Sequence, residues 1–259
     1  MTKKLFDIIK GRPAFQPLLE KLHRSLLRAM GIGIGGETET SGERLVLRHV
    51  QAKLRSVAKP ILFDVGANVG NYTKLLSGTF SDADLFAFEP SPETFRVLRE
   101  RCPSFVKTFN FALGDRKEST VLYTNKNNRT LASMYNRKLQ GKHEFNETEK
   151  IEVDTIDAFC AEKKIARIDL LKLDAEGNEL KCLRGAERML ETNKVRFIQF
   201  EFGGCDIDSR TFFKDFYNLL KDKYILYRIL QHGLYEIKNY SETYELFITA
   251  NYLAERKQP

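Results

Sequence analysis

Two stretches of this 259-residue chain combine carboxylates, amides and glycines at spacings that suit a small-molecule site. The first runs Asp64-Val65-Gly66-Ala67-Asn68-Val69-Gly70-Asn71-Tyr72-Thr73. Gly66 and Gly70 permit backbone to approach a ligand closely, and Asn68 is of the non-glycine type that best tolerates left-handed geometry. Glu89-Pro90 then ends an apolar run. Its carboxylate suits two hydrogen bonds from a ribose diol, the role an acidic residue plays in dinucleotide-binding folds. The second stretch, Lys172-Leu173-Asp174-Ala175-Glu176-Gly177-Asn178-Glu179, sets Asp174 and Glu176 directly after another apolar run.

A pyrophosphate prefers glycines and a helix N-terminus facing its anionic oxygens. The first loop opens instead with the carboxylate Asp64, which repels phosphate and suits a cationic amino-acid end. S-adenosylmethionine has that ammonium, a ribose diol and no phosphate, and a nicotinamide dinucleotide is the poorer fit. A formal G-x-G-x-x-G at Gly31, Gly33 and Gly36 follows a helix and leads into polar chain, so it reads as a flexible loop rather than a nucleotide fingerprint.

These residues need a scaffold of alternating strands and helices. Apolar runs predict strands over 61–65, 85–88, 105–112, 168–173 and 195–202, with helices over 70–77, 178–190 and 211–220. Ser91 reads as the N-cap of a helix reaching Arg101. Short strands at 121–123 and 151–153 flank a polar insertion, 125–150. Strands at 224–230, 233–237 and 244–250 close the chain, the last two antiparallel. Such a pattern implies an α/β, doubly wound, mostly parallel sheet covered on both faces, with an antiparallel C-terminal strand. Ligands bind such sheets beyond the carboxyl ends of the strands, where strand order reverses. Both chemistry-bearing stretches sit at strand ends.

The segment 63–73 resembles the first motif of the FkbM family of S-adenosylmethionine-dependent methyltransferases. So do Phe88-Glu89-Pro90-Ser91-Pro92, Ala112-Leu113-Gly114-Asp115 and Val153-Asp154-Thr155-Ile156-Asp157. The K-x-D-x-E-G-x-E run from Lys172 to Glu179, followed by Leu183-Arg184-Gly185-Ala186, is the most specific match. The likeness covers about 60–202 well and the C-terminal hairpin loosely, while Ser41-Gly42-Glu43 resembles a segment placed before the core. The resemblance implies a Rossmann-like class I methyltransferase and O-methylation, often of a sugar hydroxyl. It implies cofactor contacts from Asp64, Gly66, Asn68, Gly70, Asn71, Thr73, Glu89, Pro90 and Leu113. Asp174 is the first candidate for base or acceptor-orienting group and Glu176 the second. Both could instead tie down loops and cap the following helix.

Glu201, ending the next strand, could join Asp174 around Mg²⁺, but only fold analogy suggests it, and a metal-free site is the expectation. His143 in the insertion reads as a solvated side chain rather than a base. The acceptor, a small molecule or glycan, is not identified by any motif, because its recognition falls to the insertion and the N-terminal residues.

Composition narrows the alternatives. With 42% hydrophobic residues the chain can bury a core, and no apolar run approaches the ~20 residues of a membrane span. Cys102, Cys160, Cys182 and Cys205 lack zinc-ligand spacing and read as reduced thiols. Sequons start at Asn71, Asn128, Asn146 and Asn239 without an apolar signal stretch before them, so a cytoplasmic, unglycosylated protein is expected. Residues 1–30 hold seven basic and two acidic residues, five of the net +7 charges, and include a predicted helix with apolar positions Leu18, Leu22, Leu26 and Ala29 and a polar face of Lys21, Arg24, Ser25 and Arg28. Peripheral membrane contact is open to such a helix, though packing on its own domain is the commoner fate. The expected organisation is an N-terminal helical appendage, 1–58, and a methyltransferase domain, 59–259. A nucleic-acid methyltransferase would show N-P-P-[YF] or D-P-P-[YF] after the fourth main strand, where Asp174-Ala175-Glu176-Gly177 stands instead. A non-catalytic membrane- or partner-binding module remains the other class.

Overall fold

The apolar runs after residue 60 assemble into one eight-stranded sheet in the computed structural model, which describes residues 9–34, 41–126, 131–138 and 144–258. Gly36, Asn128 and His143 lie outside those residues. In chain order the elements are α1 (Gln16–Ala29), α2 (Glu43–Leu54), β1 (Ile61–Val65), α3 (Asn71–Thr79), β2 (Asp84–Phe88), α4 (Pro92–Arg101), β3 (Lys107–Phe109), β4 (Ala112–Leu113), β5 (Glu118–Thr124) and β6 (Glu147–Asp154). Then follow α5 (Ile156–Glu162), β7 (Ile168–Leu173), α6 (Glu179–Arg184), α7 (Glu187–Glu191), β8 (Val195–Phe202), α8 (Cys205–Ser209), α9 (Phe213–Leu220), β9 (Tyr224–Leu230), β10 (Gly233–Glu236) and β11 (Ala250–Arg256).

The sheet order is β10-β9-β11-β8-β7-β1-β2-β3. β3, β2, β1, β7 and β8 are parallel, and β11 runs antiparallel between β8 and β9. The order therefore reverses at β1 and β7, whose carboxyl ends carry the two stretches singled out above. β7 is buried along its whole length, as a strand covered on both faces must be. Under β1 and β2, Phe63, Phe88, Phe109 and Phe159 form one aromatic cluster, with Phe109 and Phe159 centroids 4.9 Å apart. Fully buried rings such as Phe63, Phe88 and Phe159 contribute about 1.5–3 kcal/mol each, which holds the ends of these strands at a common height.

Four expectations need correction. The run 105–112 is not one strand: β3 joins the main sheet, and β4 leaves it to pair with β6 in a three-stranded sheet, β4-β6-β5. The helix over 178–190 breaks into α6 and α7 because Gly185 packs on Gly114, where a Cβ would stand 1.9 Å from the Gly114 carbonyl oxygen. The chain over 244–250 is a 3₁₀ turn and irregular backbone, and the last strand is β11, further along. The apolar stripe of α1 is not packed on the body, since only Leu27 of that helix is buried.

The described part of the glycine cluster is pinned rather than free. The Gly33 N–H donates to the Thr249 carbonyl at 2.8 Å, and Ile32 is buried. Val46, Leu47, Val50 and Leu54 of α2 belong to the same core cluster as Leu62 and Leu85. Ser91 caps α4 as expected, its hydroxyl accepting the Thr94 N–H. Among the described residues no helix is long and apolar enough to cross a membrane, and all four cysteines are unpaired.

Candidate active site

Beyond Val65 the chain must turn at once, because the neighbouring strand end blocks its path. Gly66 has φ +76°, and a Cβ there would stand 1.8 Å from the Asp174 carbonyl oxygen. No other residue fits that position without moving backbone. The turn is tied on both sides: the Gly66 and Ala67 N–H groups donate to the Phe88 carbonyl, and the Asp174 N–H donates to the Val65 carbonyl. Asn68 adopts φ +50°, the left-handed conformation its type tolerates. Gly70, at φ +86°, starts α3 with its Cα close beneath Leu98 and Cys102.

This turn separates two cavities. The inner one, about 710 Å³, lies between the carboxyl end of β2 and the small sheet. Glu89 and Pro90 line one side, and Leu113, Leu122, Ala132 and Met134 form an apolar wall. The outer one, about 1470 Å³ and open to solvent, is lined by Glu43, Asn71, Tyr72, Arg137, Lys172 and Glu201, among others. Gly66, Asn68, Asp174 and Glu176 line both.

Glu89 accepts the Asn68 N–H and the Ser91 N–H, both at 2.9 Å, one on each oxygen. Burial nevertheless pushes its carboxyl up to about 7, against those two hydrogen bonds. Each oxygen keeps a lone pair for a further donor. Asn178, lining the same cavity, holds the Leu113 carbonyl at 2.9 Å through its side-chain amide.

Asp64 takes a different place from the one its position in the motif suggests. It is wholly buried and lines neither cavity, and its Oδ2 accepts the Thr73 hydroxyl at 2.5 Å. Its Oδ1 has no hydrogen-bond partner. Burial raises its pKa against the pull of Lys172 and Thr73. Thr73 and Gly70 likewise line neither cavity, so these three shape the turn from below, whereas Asn71 reaches the outer cavity.

Lys172 is the cation around which the carboxylates gather. It is buried in β7, with Nζ 2.7 Å from Asp174 Oδ2 and 5.0 Å from the centre of the Tyr72 ring. Burial opposes its charge, but Asp174, Asp64 and Glu43 outweigh burial and raise its pKa. Tyr72 is positioned in turn by donating its hydroxyl to Gln199 Oε1 at 2.7 Å.

Glu176 differs from Asp174. It sits at φ +50°, and its Oε2 receives Arg137 Nη1 at 3.0 Å and the Cys205 thiol at 2.9 Å. Burial, then Asp174, pushes its carboxyl up to about 7. The loop-tying role falls to Glu179, whose two oxygens accept the Ala175 and Gly177 N–H groups. Glu201 is pushed well up by burial and by Asp174, Glu176 and Glu179. Among the described residues no group of three or more His, Cys, Asp or Glu side chains is arranged to hold a metal ion.

Sequence reasoning missed four contributors. Glu43 enters the outer cavity from the start of α2, where Gly42 at φ +81° lies against the Leu230 carbonyl. The Ser41-Gly42-Glu43 likeness was its signal. Arg137 reaches in from the insertion, and Ala132 and Met134 of the same segment wall the inner cavity. Nothing in their spacing marks them.

A doubly wound sheet reversing at β1 and β7, with β11 antiparallel beside β8 and paired cavities at the reversal, is the Rossmann-like class I methyltransferase fold. The chain belongs to the FkbM methyltransferase family: the family model described as the methyltransferase FkbM domain matches residues 64–228. It resembles the hexuronic acid methyltransferase AglP of Haloferax volcanii, 26% identical over 153 residues, covering 55% of this chain and 56% of that one. The 2-O-methyltransferase NoeI of Sinorhizobium fredii is 24% identical over 160 residues, covering 57% and 65%. Methyltransferase sdnD of Sordaria araneosa is 28% identical over 159 residues, covering 50% and 61%. The chain thus matches between about half and two thirds of the length of these relatives. Among solved structures, a TehB-like SAM-dependent methyltransferase from Corynebacterium glutamicum aligns with 14% identity and a TM-score of 0.42, covering 95% of this chain and 100% of that one.

Proposed function

We propose that this protein is an S-adenosylmethionine-dependent O-methyltransferase acting on a hydroxyl of a sugar or glycosylated small molecule. The observation that carries the reading is the wall shared by two cavities. Gly66, Asn68, Asp174 and Glu176 face both, so a cofactor in the inner cavity and an acceptor in the outer one would meet there. Five carboxylates, Glu43, Glu89, Asp174, Glu176 and Glu201, line the two cavities against the cations Lys172 and Arg137. That balance suits a sulfonium and an ammonium and disfavours a pyrophosphate.

Glu89 would take the ribose hydroxyls, and Pro90, Leu113, Leu122 and Met134 would enclose the adenine. Gly66 and Asn68 would lie against the methionine portion, with Asp64, Gly70 and Thr73 holding the turn and Asn71 reaching in from its outer side. When bound, S-adenosylmethionine supplies a methyl carbon made electrophilic by its positive sulfur. The chain's own task is then to hold an acceptor oxygen in line with that carbon. A sugar hydroxyl is a weak nucleophile at neutral pH, and Asp174 is the group placed to accept its hydrogen bond and proton. Lys172 fixes the orientation of that carboxylate. Glu176, engaged by Arg137 and Cys205, shapes the wall instead of moving a proton.

Relatives named for hexuronic acid methylation and 2-O-methylation support a sugar acceptor. A reducing, cytoplasmic setting suits the four unpaired thiols. Calorimetric titration with S-adenosylhomocysteine tests the reading, with a nicotinamide dinucleotide as control. Binding of the first alone is expected; binding of the second alone, or of neither, overturns it.

A further inference from the structure

Along α1 and its C-cap an apolar residue recurs every fourth position, at Leu18, Leu22, Leu26 and the C-cap Met30. A helix at 100° per residue places these on one continuous face. In a helix resting on its own domain that face would be covered. Here the four side chains are 56%, 51%, 63% and 45% exposed, and the helix is anchored through Leu27 on another face. Lys21, Arg24 and Arg28 are exposed on the opposite, polar face, and Glu20 is the helix's only acidic residue.

We propose that residues 16–30 form a docking surface for an anionic bilayer. The apolar stripe would enter the boundary between headgroups and acyl chains, while the three cations meet lipid phosphates. The charge pattern selects this occupant over a second copy of the chain. Two such helices carry the same net positive charge and repel, whereas an anionic surface attracts it.

The helix also stands at the rim of the outer cavity. Past its end, Gly31 closes against Leu230, and Gly33 binds the Thr249 carbonyl. Gly33, Ile248 and Thr249 all line that cavity. Docking through α1 therefore brings the outer cavity to the membrane surface. The acceptor class that follows is a hydroxylated amphiphile, its polar head entering the cavity and its apolar part held by lipid. That consequence rests on the function proposed above; the docking itself does not.

The test is cosedimentation of the full chain with vesicles of phosphatidylcholine, alone or mixed with phosphatidylglycerol, alongside titration with S-adenosylhomocysteine. Binding to the mixed vesicles is expected, with at least about a ten-fold loss in Leu22→Glu/Leu26→Glu and in Lys21→Glu/Arg24→Glu/Arg28→Glu. Both variants change exposed side chains, so S-adenosylhomocysteine affinity should be retained, which reports that they fold. The proposal is overturned if the wild-type chain ignores the mixed vesicles or if both variants still bind. It is equally overturned if the chain self-associates through the stripe, seen as a dimer that Leu22→Glu/Leu26→Glu dissolves, without binding lipid. Vesicle binding without any S-adenosylhomocysteine binding would uphold the docking and remove only the inference about the acceptor.

Discussion

Lys172 Nζ lies 2.7 Å from Asp174 Oδ2, so a fully buried cation holds the carboxylate that faces both cavities. The pair joins the interior of β7 to the place where chemistry would occur. It makes the orientation of Asp174 a property of the core rather than of a mobile loop.

Replacing Asp174 by Asn keeps the shape of that side chain and removes its capacity to take a proton. Turnover should fall by about 10²–10⁴-fold, while S-adenosylhomocysteine affinity changes little. Single-turnover methyl transfer beside calorimetry measures both. Full turnover in this variant would relegate Asp174 to a structural role.

Glu89→Gln should weaken S-adenosylhomocysteine binding by about 1–3 kcal/mol, the cost of mismatching buried hydrogen-bond partners. In the proposed ribose role the ionised carboxylate would accept the hydroxyls, and with its pKa raised to about 7, wild-type affinity should rise as pH increases through 7. The variant should lose that dependence. An unchanged affinity in Glu89→Gln would displace Glu89 from the ribose site.

Raised carboxyl pKa values also set the pH dependence of stability. Glu89, Glu176 and Asp206 are each held up to about 7, chiefly by burial. Between their ordinary values near 4 and about 7 the folded chain therefore binds protons that the unfolded chain has released, so stability falls as pH rises through this window. Urea midpoints should be lower at pH 7.5 than at pH 5.5, with a shallower fall in Glu89→Gln.

Two glycines give opposite expectations. Gly66→Ala forces a Cβ into the Asp174 carbonyl at a left-handed φ, which should cost about 2–6 kcal/mol in strain and overpacking. Gly78 lies exposed in α3 with nothing within 4 Å of its missing Cβ, so Gly78→Ala should stabilise by about 0.5–1 kcal/mol. Chemical denaturation reads both, and equal effects would contradict the packing described.

Glu43 lines the outer cavity alone. Glu43→Gln should therefore leave S-adenosylhomocysteine affinity within about three-fold and reduce methyl transfer by about ten-fold, the scale of one lost charge-assisted hydrogen bond. Comparable losses of cofactor binding and transfer would move Glu43 to the cofactor side.

Local spacing determined much of this protein. The strands at 61–65, 168–173 and 195–202, the cap at Ser91 and the left-handed turn at Asn68 follow from short-range sterics and side-chain periodicity, which neighbouring residues dictate. The turns at the two strand ends were legible for the same reason, since a strand end, a glycine turn and a helix start are contiguous in sequence. Tertiary structure decided what depends on distant partners. A period-two pattern cannot say that β11 inserts between β8 and β9, nor that β4 leaves the main sheet for β6, because those choices rest on hydrogen bonds between remote strands. The direction of Asp64, into the core beside Thr73 instead of toward a ligand, depends on the register of β1 against β7. Glu43 and Arg137 reach the outer cavity only because α2 and the insertion fold back onto strand ends far along the chain. The exposure of the α1 stripe is of the same kind: its amphipathic spacing is local, but whether a neighbour covers it is settled by everything else the chain packs.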